Sequence, residues 1–249
     1  MSALVVEILK LKRSLAWPVV VLLPIAVVLA GAATRLSRGE QPADGWHTVW
    51  VQSVGFYGLF PLAIGIAILG SLVWRVEHRG SNWNALMSGP TSSLRIVIAK
   101  TVVVAGLGTI MQLILLTAVL MIGKFAFGLP DMLPAQYFGT TGLLILATIP
   151  LSALQSALSM FLRSFAAPVA LALVASGIST VALMVLGNAA IASPYGLATR
   201  TTQLGSGTLA DSGTVTAGDV TSILAAVLVL TVFIVALTAA VLNRRDTRI

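Results

Sequence analysis

The chain of 249 residues is 57% hydrophobic and only 9% charged, with a net charge of +7 and a mean hydropathy of +1.00. Soluble domains carry about 25% charged residues, so this composition excludes an ordinary soluble protein, and the absence of cysteine excludes disulfide bonds, thiolate metal sites and a cysteine nucleophile. The basic residues lie at the ends of apolar runs, where lipid head groups lie, and this placement argues against nucleic acid as a partner.

The N-terminal segment has an amphipathic pattern. Leu4, Ile8 and Leu11 recur at helical spacing, while Glu7 and Lys10 fall on another face. This pattern predicts a helix lying along the inner leaflet; the alternative is that it extends the first span into water. The next apolar run could also be a signal peptide, but it is long for a signal core, and we favour a span.

Six apolar runs are long enough to cross a membrane as helices, since a span needs about 20 residues. None contains Asp, Glu, Lys or Arg, and none alternates like a barrel strand. The sequence therefore predicts an all-α membrane protein with one transmembrane domain over residues 1–249. Its six predicted transmembrane helices are 15–33, 49–74, 101–123, 139–162, 166–186 and 223–242.

The distribution of Lys and Arg predicts the orientation of the spans. An even number of spans puts both termini on one side, and that side carries 11 of the 15 basic residues. The other side carries Arg35, Arg38, Lys124 and Arg200. We therefore predict a multi-pass protein of the cytoplasmic membrane with both termini in the cytoplasm.

Two spans carry residues that are candidates for a translocation pathway. In the fourth span, Gln155 and Ser159 belong to a polar stripe at helical spacing. In the second span, Phe56 and Phe60 are one turn apart and line one face. These four residues are predicted to face a substrate cavity, with hydrogen bonding between helices and core packing as the alternative.

The loop between the fifth and sixth spans is long, at residues 187–222. Its first part, residues 188–199, is uncharged and is broken by Pro194 and Gly196. Such a segment can dip back into the membrane where protein buries its free backbone groups. An ordinary outer loop is the alternative, and the sequence leaves both open.

The loop after the second span is polar between two long apolar runs. Within it, Trp83, Leu86 and Met87 share one face of a short predicted helix, which Gly80 precedes and Pro90 follows. This face either rests on lipid and on the chain's own helices, or fits a groove on a cytoplasmic partner. The sequence has no phosphate-binding loop, no catalytic cluster and no metal-binding cluster of histidines, so an energy source must come from elsewhere.

Five residues of this region form the pattern E-x2-G-x5-L-x3-P-x9-K. They are Glu77, Gly80, Leu86, Pro90 and Lys100. With the segment NWNALMSGP, the pattern resembles the first cytoplasmic loop of ABC-2 type exporter permeases, particularly the lantibiotic-immunity and bacitracin-type efflux group. The layout is similar too: an interfacial N-terminal helix, six spans and a long last outer loop.

This resemblance implies that the loop holds a coupling helix for a separate ATP-binding subunit. The implied coupling residues are Glu77, Gly80, Trp83, Leu86, Met87 and Pro90. The implied complex has two permease chains, identical or different, in contact with membrane lipid. ATP and Mg²⁺ bind to the partner, so this chain is not expected to be an enzyme or to hold a cofactor or metal. The implied function is export of amphipathic or hydrophobic compounds; a self-contained carrier or channel is the alternative.

Overall fold

The computed structural model describes residues 3–11, 14–79, 83, 92–209 and 211–246, and every regular element in these ranges is helical. The helices are α1 (Ala3–Lys10), α2 (Ala16–Arg38), α3 (Trp46–Trp50), α4 (Phe56–Leu59), α5 (Pro61–His78), α6 (Ser93–Met121), α7 (Ala135–Phe161), α8 (Ala166–Leu186), α9 (Pro194–Thr202) and α10 (Ala217–Asp246). There are also π-helical turns over Val51–Gly55 and Ile122–Ala126, and a 3-10 helix over Gly187–Ala192.

Six of the described helices are long and apolar enough to cross a membrane, which confirms the predicted all-α membrane fold. They are α2, α5, α6 with its π-helical turn, α7, α8 with the following 3-10 helix, and α10. Most of the predicted coupling helix, residues 84–91 among them, lies outside the described residues.

The second span is broken, where the sequence predicted one continuous run. It begins as α3, passes through the π-helical turn into α4, and restarts as α5 at Pro61. Pro61 has no N–H and disfavours helical geometry at the residue before it, so Phe60 leaves the helix with φ −138°. The first part of this span, residues 46–59, is therefore a separate segment, which can pack differently from α5.

Helices α5 and α7 form the centre of the bundle. In their most apolar windows 61% and 67% of the residues are buried, against 22% for α8 and α10. Gly70 lets α5 and α7 approach closely, because a Cβ added there would lie 3.1 Å from the Gln155 carbonyl oxygen. The exposed apolar faces of α8 and α10 are suited to lipid or to another membrane subunit.

The loop between the last two spans folds back into the bundle. Of the two alternatives that the sequence left open, the structure therefore agrees with the inserted segment and not with an ordinary outer loop. Ser193 caps α9 by accepting a hydrogen bond from the Gly196 N–H at 2.9 Å, and Pro194 occupies the first turn. All nine residues of α9 are buried, and the helix contacts α4, α7 and α8. A polar helix therefore lies among the spans, with the protein supplying its partners.

Candidate functional site: a buried ion cluster and two cavities

Four charged side chains meet at the end of the bundle that the sequence predicts to face the cytoplasm, called the inner end below. Glu7 and Lys10 come from α1, Glu77 from the last turn of α5, and Lys100 from α6, about two turns after its start. Lys10 Nζ lies 2.7 Å from both Glu7 Oε1 and Glu77 Oε1. Lys100 Nζ lies 2.7 Å from Glu7 Oε2 and 2.8 Å from Glu77 Oε1. Each lysine thus bridges both glutamates, and the cluster is neutral as a whole.

Lys100 is fully buried, and its ammonium group is fully bonded. Besides the two carboxylates, Nζ donates a hydrogen bond to the Val73 carbonyl oxygen at 3.0 Å, so its three donors are used. It also lies 4.8 Å from the ring centre of Trp74, within the range of a cation–π contact. Because burying an unpaired charge is costly, the lysine fixes α1, α5 and α6 relative to one another.

Lys10 is the most exposed member of the cluster, with a side chain 30% exposed. Burial, the largest single effect, would lower the pKa of Lys10. Hydrogen bonds to Glu7 and Glu77, together with the attraction of both carboxylates, outweigh it and hold the pKa above its ordinary value of 10.5. Lys10 therefore remains charged throughout the physiological pH range.

Glu77 and Lys100 both belong to the loop pattern in the sequence, but the pattern does not predict that they pair. It placed Glu7 and Lys10 on the polar face of α1, and in the structure this face points into the protein while Val5, Ile8 and Leu9 are exposed. One signal pointed to the pairing: two opposite charges close to the ends of apolar spans need partners. The position of α1 beside α6 could not be read from its pattern.

Trp83 is the one predicted loop residue besides Glu77 that the structure describes. Its ring is partly buried and stacks on His78, with ring centres 6.0 Å apart, and it lies 6.0 Å from Trp74. Only part of its surface is therefore available to a partner. Gly80, Leu86, Met87 and Pro90 lie outside the described residues.

The polar stripe of the fourth span is buried inside the protein. Gln155 Nε2 donates to the Tyr195 hydroxyl of α9 at 2.7 Å. Ser159 Oγ lies 3.4 Å from Ser71 Oγ of α5, and the Ser159 carbonyl oxygen is 2.7 Å from His78 Nε2. In this conformation the stripe joins α5, α7 and α9.

The four predicted pathway residues are not gathered around one cavity. Ser159 lines an inner cavity of about 160 Å³ together with Arg75 and Arg163. Phe56 is half-exposed and lines a separate cavity of about 560 Å³ beside Arg35. The other two, Gln155 and Phe60, line neither cavity; Gln155 is fully buried, and Phe60 lies beside Gly177 of α8.

A second ion cluster, which the sequence does not predict, lies at the opposite end of the bundle, called the outer end below. Arg200 of α9 is buried and reaches Asn188 Oδ1 at 2.9 Å, Asp211 Oδ1 at 2.8 Å and Asp219 Oδ1 at 3.0 Å. Asp219 lies in the first turn of α10. Arg200 therefore ties the inserted helix to the connecting loop and to the last span, whereas its position in the sequence predicted only an outer charge.

Residues 3–179, more than half of the chain, match the model of the ABC-2 family transporter protein. The chain belongs to the ABC-2 transporter family. No curated protein and no solved structure matches it.

Membership of this family identifies the chain as an ABC transporter permease, a multi-pass membrane subunit that works with an ATP-binding subunit. The matched region contains all four residues of the inner ion cluster and the loop after α5. The inserted helix α9, Arg200 and the last span lie beyond the match.

Proposed function

We propose that this permease is the membrane subunit of an ATP-driven exporter of amphipathic or hydrophobic compounds, such as antimicrobial peptides or drugs. The complex would contain two permease chains, identical or different, and two ATP-binding subunits. ATP and Mg²⁺ bind to those subunits, and this chain hydrolyses no ATP. The loop motif supports a place in the lantibiotic-immunity and bacitracin-type group.

The observation that carries the proposal is the inner ion cluster. Glu77 stands three residues before Gly80, at the point where α5 leads into the loop. It is locked to α1 and α6 through Lys10 and Lys100. A force applied to the loop by an ATP-binding subunit therefore moves three helices together, which is what ATP-driven transport needs.

The two cavities support an inner entrance and an outer exit. We propose that substrates enter beside Ser159 and leave beside Phe56, passing Gln155 and Phe60 when the bundle opens. The Gln155–Tyr195 hydrogen bond closes this route in the present conformation. Both termini are proposed to lie in the cytoplasm, in accordance with the 11-to-4 distribution of basic residues.

The pathway is tested by Gln155→Leu. Export of a panel of peptides and drugs by cells carrying this variant should change in relative efficiency, because the polar contact with Tyr195 is lost. Gln112→Leu is a matched control, since Gln112 is equally buried but lies on α6 beside Tyr57. An unchanged substrate profile for Gln155→Leu, with normal expression, would mean that the stripe serves packing only.

The partnership is tested with Trp83→Ala combined with Leu86→Ala. A buried interface tryptophan often contributes about 2 kcal/mol or more, so the affinity for the ATP-binding subunit should fall roughly thirtyfold. Arg95→Gln is the control, because Arg95 is exposed on α6 and outside the predicted helix. Undiminished capture of the ATP-binding subunit by the double variant would contradict the proposed docking.

A further inference from the structure

The cavity of about 560 Å³ lies between the outer end of α2 and the broken outer part of the second span. Its polar side includes Arg35, Arg38, Glu40 and Gln52. Its apolar side includes the half-exposed ring of Phe56. The lining is thus partly cationic and partly apolar, which suits an amphipathic ligand.

Arg35 is oriented by neutral groups. Its Nε donates to Gln52 Oε1 at 3.3 Å, and Nη1 donates to the Gln41 carbonyl oxygen at 3.4 Å. With the Gln52 amide turned over, the first distance becomes 3.0 Å and the amide nitrogen donates to the Gly31 carbonyl oxygen at 3.3 Å. Among the described residues no carboxylate lies within 4 Å of the Arg35 guanidinium. The group is held in place without being neutralised.

The other two charges of the cavity do not balance Arg35. Arg38 approaches Glu40 at 3.9 Å, and their side chains are 66% and 49% exposed. An exposed pair at this distance is weak and largely screened by water. Taken together, the two arginines and one glutamate leave the cavity with a net charge of +1, and this charge resides on Arg35.

The depth of Arg35 matches a lipid head group. It stands nineteen residues after the start of α2 at Ala16, which corresponds to about 28 Å along a helix axis. The hydrocarbon core is about 30 Å thick, so Arg35 reaches the level of the outer head groups when α2 starts at the inner boundary. The helices pack tightly here, since a Cβ added at Gly31 would lie 2.6 Å from the Gln52 carbonyl oxygen.

We propose that this cavity binds the phosphate group of an outer-leaflet phospholipid, with Arg35 as the main donor and Phe56 in contact with the start of an acyl chain. Guanidinium groups bind phosphate through two parallel N–H donors, and Arg35 lines a cavity that also has apolar lining residues. The cavity is the one proposed above as the exit beside Phe56, but the inference does not depend on export, because lipid retention is measured on the purified permease without transport.

The test measures lipid retention by the full-length permease, purified and examined by native mass spectrometry with phosphatidylglycerol and diacylglycerol of the same acyl chains. The parent should retain phosphatidylglycerol at least tenfold better than diacylglycerol. Arg35→Gln should abolish this preference, whereas Lys124→Gln, which removes another outer cation away from the cavity, should keep it. Equal retention of the two lipids by the parent, or an unchanged preference in Arg35→Gln, would overturn the proposal.

Two further measurements distinguish a bound phospholipid from the effect of misfolding and from a site for free phosphate. Glu40→Gln should increase retention of phosphatidylglycerol, because Glu40 is the one carboxylate among the described residues that line the cavity, and a misfolded protein would not show such a gain. Inorganic phosphate at millimolar concentration should not displace the lipid, because it makes no contact with the apolar wall. Displacement by inorganic phosphate would show a free-phosphate site instead, and no gain with Glu40→Gln would also contradict a phosphate at Arg35.

Discussion

At the scale of single residues, Lys100 shows how buried charges hold the inner end of the permease together. It is fully buried, yet both carboxylates and the Val73 carbonyl oxygen surround its ammonium group. Removing one member of such a cluster leaves an uncompensated buried charge, which costs more than the pair contributes when intact. Single substitutions in the cluster should therefore destabilise the permease more than paired substitutions that keep the cluster neutral.

Glu77→Gln should lower the free energy of unfolding by about 3 kcal/mol, because it leaves one excess positive charge beside Trp74. Adding Lys100→Met removes that excess and should recover at least half of the loss. Thermal unfolding in detergent measures both effects. Arg95→Gln serves as control and should change stability by less than about 0.5 kcal/mol. A double variant less stable than Glu77→Gln alone would contradict the pairing.

The pH dependence of the cluster follows from the raised pKa of Lys10. A raised lysine pKa contributes stability that is fully present below the unfolded value of 10.5 and is lost as the pH rises through the folded value. The stability difference between the parent and Lys10→Met should therefore be constant from pH 6 to pH 9 and should shrink above pH 10.5. A difference that falls between pH 6 and pH 9 would contradict this assignment.

At the scale of elements, the break in the second span and the inserted helix α9 depend on each other. The Thr199 hydroxyl donates to the Gly58 carbonyl oxygen at 2.9 Å, and Gln203 Nε2 donates to the Gly55 carbonyl oxygen at 3.0 Å. Backbone carbonyls near the break thus find partners within the protein, which irregular backbone at membrane depth requires. The end of α9 supports the geometry that Pro61 imposes.

Gly58→Ala tests this contact, because an added Cβ would lie 1.7 Å from Thr202 Oγ1. The substitution should lower the free energy of unfolding by about 2 kcal/mol, as overpacking does. Gly106→Ala is the matched control: nothing lies within 4 Å of a Cβ there, and alanine favours a helix. If both variants are equally stable in a thermal unfolding assay, α9 does not pack against α4 as described.

Hydropathy predicted the six spans because each is a long uncharged run, and a helix in lipid must satisfy its own backbone. It did not predict the break before Pro61, because a proline in an apolar run marks either a bend or an end. The ion clusters were missed for another reason: Glu77 and Lys100 are 23 residues apart, and only the packing of α5 against α6 brings them together. Arg200 pairs with residues of a loop that has no periodic pattern.

At the scale of the whole molecule, the positive charge lies mainly at one end of the bundle, and this asymmetry predicts the orientation. The chain has no cysteine, so single-cysteine variants can be labelled without background. Ser212→Cys, at an exposed position of the last outer loop, should react with a membrane-impermeant maleimide in intact cells. Arg79→Cys, exposed at the other end, should react only after permeabilisation. The reverse pattern would contradict cytoplasmic termini.

Docking of an ATP-binding subunit on the loop after α5 can be detected by proximity labelling. A single cysteine at Asn82, carrying a photoactivatable cross-linker, is irradiated in membrane vesicles, with Ser212→Cys as the matched outer position. The account predicts a covalent adduct between the permease and a protein with a phosphate-binding loop from position 82 and none from position 212. Cross-links from position 82 only to lipid or to the permease itself would contradict it.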